Sequence, residues 1–204
     1  MTRIGITGGI GSGKTYVCNL LKQRGIPVYH CDDEAKRLMQ ESPLIREQLC
    51  RLIGSDAYIG HELNKPAIAA FLFDSADNAA RVNAIVHPIV KDDFAEWALR
   101  QEAPIVAQES AILFEAGFQD TVDATVLIHA PKALRMQRAM QRDHATSTQI
   151  EARMAQQTDD EEKRRRADYT ILNDGTADLD RQLDQLLTSL RKKHQDVNNQ
   201  NVNK

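Results

Sequence analysis

Gly8-Gly9-Ile10-Gly11-Ser12-Gly13-Lys14-Thr15 decides how this chain is read. It follows Arg3-Ile4-Gly5-Ile6-Thr7, a short apolar run of strand character, and precedes Tyr16-Val17-Cys18-Asn19-Leu20-Leu21, the first turns of a helix. A glycine, four residues, then glycine-lysine-threonine is the Walker A pattern in the strand–loop–helix context it requires. Successive loop N–H groups form an anion nest, and the following helix adds its positive N-terminal end. Lys14 reaches β- and γ-phosphates, and the Thr15 hydroxyl is a Mg²⁺ ligand. The bland alternative, a tight glycine turn without a ligand, fits the combined pattern and context poorly.

Two rivals fail on spacing. No register of Gly5, Gly8, Gly9, Gly11 and Gly13 gives the dinucleotide fingerprint with glycines at relative positions one, three and six. A protein kinase needs His-Arg-Asp and Asp-Phe-Gly, and neither occurs.

The chain has 204 residues, with 42% hydrophobic and 27% charged, so an ordinary globular α/β protein is expected. A net charge of −3 argues against a bulk electrostatic grip on nucleic acid. No apolar run is long enough to span a bilayer, and the N-terminus leads straight into a strand, so neither membrane span nor signal peptide is expected. Cys18, Cys31 and Cys50 are widely spaced, without a zinc pattern, and read as reduced thiols of a cytoplasmic protein.

Further strands are expected at Ile26–His30, Ile105–Ala107, Ala124–Ile128 and Asp168–Leu172. The first helix runs to about Arg24 and stops at Gly25. Asp32 and Asp33 follow the second strand at its carboxyl end. There, chemistry and N-capping of a helix over 34–40 are equally open readings. Ser42 to about Leu99 reads as mainly helical, and His87-Pro88 is expected to interrupt it. His87 read unaided is more readily a cap than a ligand contact. Pro131 starts a helix on which Arg135, Arg138 and Arg142 share one face, either solvated or a phosphate clamp. A second, highly charged helix over 147–166 would complete a mobile lid. Its run from Asp159 to Arg166 reads as solvent face with salt-bridge partners. A final amphipathic helix ends near Lys192, and 194–204 is expected to be a disordered tail.

Alternating strands and helices after a phosphate loop predict a five-stranded, mostly parallel sheet with helices on both faces. A switch GTPase is excluded because Asn64-Lys65 continues as Pro66-Ala67, without the guanine-reading aspartate. No later strand ends in the paired acids of a transport or AAA-type ATPase. A small-molecule kinase remains, against a kinase for a nucleoside or other small alcohol, or an ATP-driven binding protein with no acceptor.

Gly5-Ile6-Thr7-Gly8-Gly9-Ile10-Gly11-Ser12-Gly13-Lys14-Thr15 resembles the opening of the dephospho-coenzyme A kinase family. His30-Cys31-Asp32 stands where that family has Asp-Ala-Asp, and Ala111-Ile112-Leu113-Phe114-Glu115 where it has Pro-Leu-Leu-Phe-Glu. His87-Pro88, Gln141-Arg142-Asp143, Ala167-Asp168 and Asn173-Asp174-Gly175 continue the resemblance to about residue 190.

The resemblance implies a P-loop kinase of one domain. Its core covers 1–40, 101–135 and 167–193, its helical acceptor-binding insertion about 60–100, and its lid about 140–166. The implied reaction transfers phosphate from ATP, with Mg²⁺, to the ribose 3′-hydroxyl of dephospho-coenzyme A. Implied catalytic residues are Asp32 as base, Lys14 and Arg142. ATP is expected at Gly9, Ile10, Gly11, Ser12, Gly13, Lys14, Thr15 and Tyr16, with Asn173 and Gly175 by the adenine. Thr15 would ligate the metal, and Asp32, His87 and Glu115 would meet the acceptor. A monomer or small homo-oligomer without nucleic-acid or membrane partners is expected.

Overall fold

The structure, a computed structural model, describes residues 1–202, with side chains through residue 192. It divides into two compact units, one of residues 1–29 and 101–204 and the other His30–Arg100.

The first unit is built on a five-stranded sheet ordered β2-β5-β1-β6-β7. Its strands are β1 (Thr2–Thr7), β2 (Val28–His30), β5 (Ile105–Glu109), β6 (Ala124–His129) and β7 (Tyr169–Leu172). Pairings of β1 with β5 and β6, and of β6 with β7, are parallel, with Ile4 opposite Ala107 on one side and Ala124 on the other. All five expected strands are present. β1 is central and buried on both faces: Ile4 and Ile6 on one and Thr7 on the other are wholly inaccessible. The chain leaves β1 for the β2 edge, returns to β5, then crosses to β6 and β7. The reversal falls at β1, so the loop after β1 opens into the crevice where such sheets bind ligands.

Helices α1 (Lys14–Gln23) and α9 (Leu179–Val202) flank the sheet. Val17, Cys18, Leu21, Leu183, Leu187 and Leu190 join the strand residues in one core. Gly25 ends α1 as expected: its N–H reaches Lys22 and the Ile26 N–H reaches Leu21. The tail expected to be disordered from 194 has helical backbone through Val202 instead, and residues 203 and 204 lie outside the described residues. Nothing between 179 and 202 breaks a helix, so the ladder propagates one residue at a time.

Between β6 and β7 lie α6 (Lys132–Asp143), α7 (Ser147–Met154) and α8 (Asp160–Arg166). Pro131, expected at the first helical position, is instead the N-cap of α6, which begins one residue later at Lys132. The single helix expected over 147–166 is in fact two. Thr146 and Gln149 form a capping box at the start of α7, and Asp159 caps α8 by accepting from the Glu161 N–H at 2.9 Å.

The second unit is mostly helical: α2 (Cys31–Glu41), α3 (Pro43–Ile53), α4 (Lys65–Asp74) and α5 (Ala76–Leu99). Ser42, Asn64 and Ser75 each cap the following helix through their side chains. A hairpin of β3 (Tyr58–Ile59) and β4 (Glu62–Leu63) interrupts the helical stretch and was not expected. Its two-residue turn, Gly60-His61, is flanked by too few apolar residues to give a strand pattern. His87-Pro88 does not break α5, contrary to expectation. Pro88 removes one backbone donor, but Val82, Val86, Val90, Phe94 and Ala98 recur every fourth residue and are all buried, so packing holds the helix through it. The expected insertion over 60–100 falls within this unit.

Candidate functional site

The loop between β1 and α1 is shaped by what touches its backbone. Gly13 has φ of +91° and Gly11 of +78°, a left-handed region that glycine alone enters freely. Both also face close approaches: a Cβ on Gly11 would sit 2.1 Å from the Arg135 carbonyl, and one on Gly13 2.2 Å from the Asn173 amide nitrogen. The Lys14 ammonium folds back to the Gly8 carbonyl at 2.9 Å. The Ser12 N–H donates to the Gly9 carbonyl at 3.1 Å. The first intrahelical bond of α1 runs from the Val17 N–H to the Gly13 carbonyl. The N–H groups ahead of it are those a helix leaves for an outside acceptor. Ser12 Oγ and Thr7 Oγ1 are buried without a hydrogen-bond partner among the described residues. Orphaned polar atoms beside a glycine cradle and a helix N-terminus suit a phosphate group.

Helices α6 to α8 reach this loop. Arg135 has a buried side chain that pairs with Asp160 and lies 3.5 Å from the Ile10 carbonyl. Gln157, in the break between α7 and α8, accepts from the Ile10 N–H at 3.0 Å. Arg138 donates to the Asn173 carbonyl at 3.0 Å. Of the three arginines on one face of α6, Arg135 thus reaches the loop and Arg138 the segment after β7, so neither is simply solvated. Arg142 is two-thirds exposed and pairs with Asp143 at 2.7 Å. Asp143 also pairs with Arg153 at 2.9 Å. Arg142 first, then Arg153, hold the Asp143 carboxyl below the usual carboxylate range.

Glu115 lies in the turns after β5. Its Oε1 accepts from the Thr158 N–H at 2.9 Å and meets the Lys163 ammonium at 3.1 Å. Lys163 is wholly buried and also donates to the Ala111 carbonyl at 3.0 Å. The run Asp159–Arg166 was expected to be solvent face, but Lys163 and Asp160 point inward. Burial works to raise the Glu115 pKa, yet the Thr158 N–H and the nearby Lys163 outweigh it and hold the carboxyl low. Sequence reasoning missed Gln157 and Lys163. A lone glutamine and one lysine in a charged run carry no local pattern.

Asn173, directly after β7, donates from Nδ2 to the Ser12 carbonyl at 2.8 Å, while its own N–H holds the His129 carbonyl at 2.7 Å. Gly175 and Tyr16 are exposed, as is Thr15.

In the second unit, Asp32 and Asp33 are exposed in the first turn of α2. Neither is the cap, which falls on His30, because α2 begins at Cys31 and not at Glu34. Asp32 is therefore the second residue after β2. His87 is half-buried in α5. Burial, with a smaller contribution from Lys91, lowers its pKa and favours the neutral ring. No group of three or more metal-ligating side chains occurs among the described residues. No helix among them is long and apolar enough to cross a membrane.

A family model described as dephospho-CoA kinase matches residues 2–178. A dephospho-CoA kinase of Bacteroides fragilis (strain YCH46) is 46% identical over 192 residues, which is 94% of this chain and 94% of that protein. A crystal structure from Thermus thermophilus superposes with a TM-score of 0.80 at 37% identity, covering 93% of this chain and 97% of that one. The dephospho-CoA kinase of Campylobacter jejuni, at 22% identity and a TM-score of 0.68 over 94% of this chain and 98% of that one, shares the fold.

Proposed function

The chain belongs to the dephospho-CoA kinase family, and from that membership we propose how its own residues serve the reaction. The reaction phosphorylates the ribose 3′-hydroxyl of dephospho-coenzyme A from ATP, giving coenzyme A and ADP, the last step of coenzyme A biosynthesis. The family match over residues 2–178 carries this reading.

The loop Gly8–Thr15 is the donor-phosphate site. What supports it is the glycine cradle, the helix start behind it and the buried Ser12 hydroxyl, which has no hydrogen-bond partner among the described residues. Lys14 leaves the Gly8 carbonyl for the phosphates when nucleotide enters. A magnesium ion suits the site as one carried in by the nucleotide, held by Thr15 and phosphate oxygens, since Mg²⁺ commonly takes few protein ligands. When bound it neutralises charge on the transferring group.

Asp32 orients the acceptor hydroxyl and takes its proton. Its position two residues after a strand that ends at the ligand crevice supports this role. His87 and the helical insertion over 60–100 bind the acceptor; a neutral His87 ring is a hydrogen-bonding group there, not a cation. Arg142 changes partner from Asp143 to the nucleotide as the lid over 140–166 closes, and closure limits wasteful hydrolysis. Glu115 acts by holding α8 and the break before it, because its Oε1 accepts from the Thr158 N–H in that break and meets Lys163 within α8. Cys18, Cys31 and Cys50 form no disulfide, which suits a cytoplasmic setting.

The test is ADP release from Mg·ATP with dephospho-coenzyme A, adenosine or AMP as acceptor. Stimulation by dephospho-coenzyme A alone, with coenzyme A as product, is expected. Stimulation by adenosine or AMP instead overturns the acceptor, and release indifferent to every acceptor overturns the kinase reading.

A further inference from the structure

We infer that Asn173 is a positioning residue of the phosphate loop: its carboxamide holds the Ser12 carbonyl and thereby points the Gly13 N–H at the donor phosphates. This rests on the reading of Gly8–Thr15 as the donor-phosphate site.

Three observations converge on it. The Asn173 amide donates to the Ser12 carbonyl at 2.8 Å, in a buried setting. The Ser12 carbonyl and the Gly13 N–H belong to one peptide unit, which is planar and trans, so they point in opposite directions. Holding the carbonyl on the β7 side therefore turns the N–H the other way, ahead of α1. Next, the Asn173 amide nitrogen occupies the space that a Cβ on Gly13 would fill, at 2.2 Å. The glycine and the asparagine thus form one fitted pair. Last, the Asn173 backbone is itself fixed. Its N–H bonds the His129 carbonyl at the end of β6, and its carbonyl accepts from Arg138. A side chain so anchored transmits the position of the sheet to the loop.

This role differs from a contact with the adenine ring, which the resemblance implied for the same residue. The two roles separate by ligand. A loop-positioning residue affects every ligand whose phosphate chain sits in the Gly8–Thr15 loop, whatever its base. A base contact affects only ligands that carry adenine.

The experiment measures binding of inorganic tripolyphosphate, ATP and GTP by calorimetry to the full chain and to Asn173→Ala and Asn173→Asp. It is paired with KM for ATP and for dephospho-coenzyme A. The expected result for Asn173→Ala is at least a tenfold loss of affinity for tripolyphosphate, ATP and GTP alike. The ATP-to-GTP ratio and the KM for dephospho-coenzyme A stay unchanged. Asn173→Asp keeps the shape but cannot donate, and is expected to bind more weakly still. It keeps the inference testable should the alanine variant fail to fold. A loss confined to ATP, with tripolyphosphate unaffected, overturns the inference in favour of an adenine contact. Equal binding by variant and parent also overturns it. A parent chain that binds no triphosphate at all overturns the donor-site reading instead.

Discussion

The Lys163 ammonium is wholly buried and meets the Glu115 carboxylate at 3.1 Å, and the two join α8 to the turns that follow β5. The pair is lopsided. Lys163 has no access to water, whereas the Glu115 side chain keeps a quarter of its exposure. Removing the acid therefore strands a buried cation, while removing the cation leaves an acid that still accepts from Thr158 and still reaches solvent. Stranding one member of a buried pair costs about 3–5 kcal/mol. The partial exposure of Glu115 puts this case toward the lower end, at about 3 kcal/mol. Urea unfolding should find Glu115→Gln more destabilised than Lys163→Met. The reverse order would show that the ammonium is not confined as described.

The same carboxyl sets an acid limit. Glu115 has its pKa held below the ordinary 4.5, because the Thr158 N–H and Lys163 outweigh the opposing effect of burial. A carboxyl with a depressed folded-state pKa stabilises the fold above its unfolded pKa. That contribution is lost as pH falls through the folded value. Between pH 7 and pH 3 the parent chain should lose more stability than Glu115→Gln, which has nothing to titrate at that position. Urea midpoints across that range measure the difference, and parallel curves would remove Glu115 from the account.

The sheet was open to sequence reasoning, and the lid was only partly so. Strands β1, β5 and β6 are short apolar runs bounded by turn residues, and such runs announce themselves locally. The break between α7 and α8 does not, because residues 147–166 contain no glycine or proline. Hydrogen bonds from far along the chain make that break: Thr158 to Glu115, and Gln157 to Ile10. Helix α5 shows the opposite case, where a strong local signal, Pro88, is overridden by the buried ladder from Val82 to Ala98. In the site, the glycine pattern and the spacing of Arg135 and Arg138 could be read from sequence. That Asn173 grips Ser12, 161 residues away, could not.

Asp32 carries the proposed proton transfer. A positioned base commonly contributes about 10²–10⁴ in rate. Asp32→Asn preserves shape and removes the proton acceptor, so kcat should fall within that range while ATP affinity and the unfolding midpoint stay near those of the parent. Steady-state kinetics with dephospho-coenzyme A as acceptor decide it. Near-normal turnover would move the role to Asp33, the next exposed acid of α2.

Gly13 and Asn173 should behave as one unit under mutation. Gly13→Ala places a Cβ where the Asn173 amide stands and forces alanine into φ near +91°. The contact and the backbone strain are separate costs. Combining Gly13→Ala with Asn173→Ala removes the contact and leaves the strain. The double variant should therefore be less impaired in triphosphate binding than the two single losses added together. Residues in direct contact show such coupling, on the order of 0.5–3 kcal/mol. A double-mutant cycle read by tripolyphosphate calorimetry measures it. Strict additivity would mean that the Asn173 amide and the Gly13 backbone do not meet in solution, and the loop would then owe its shape to its glycines and to α1 alone.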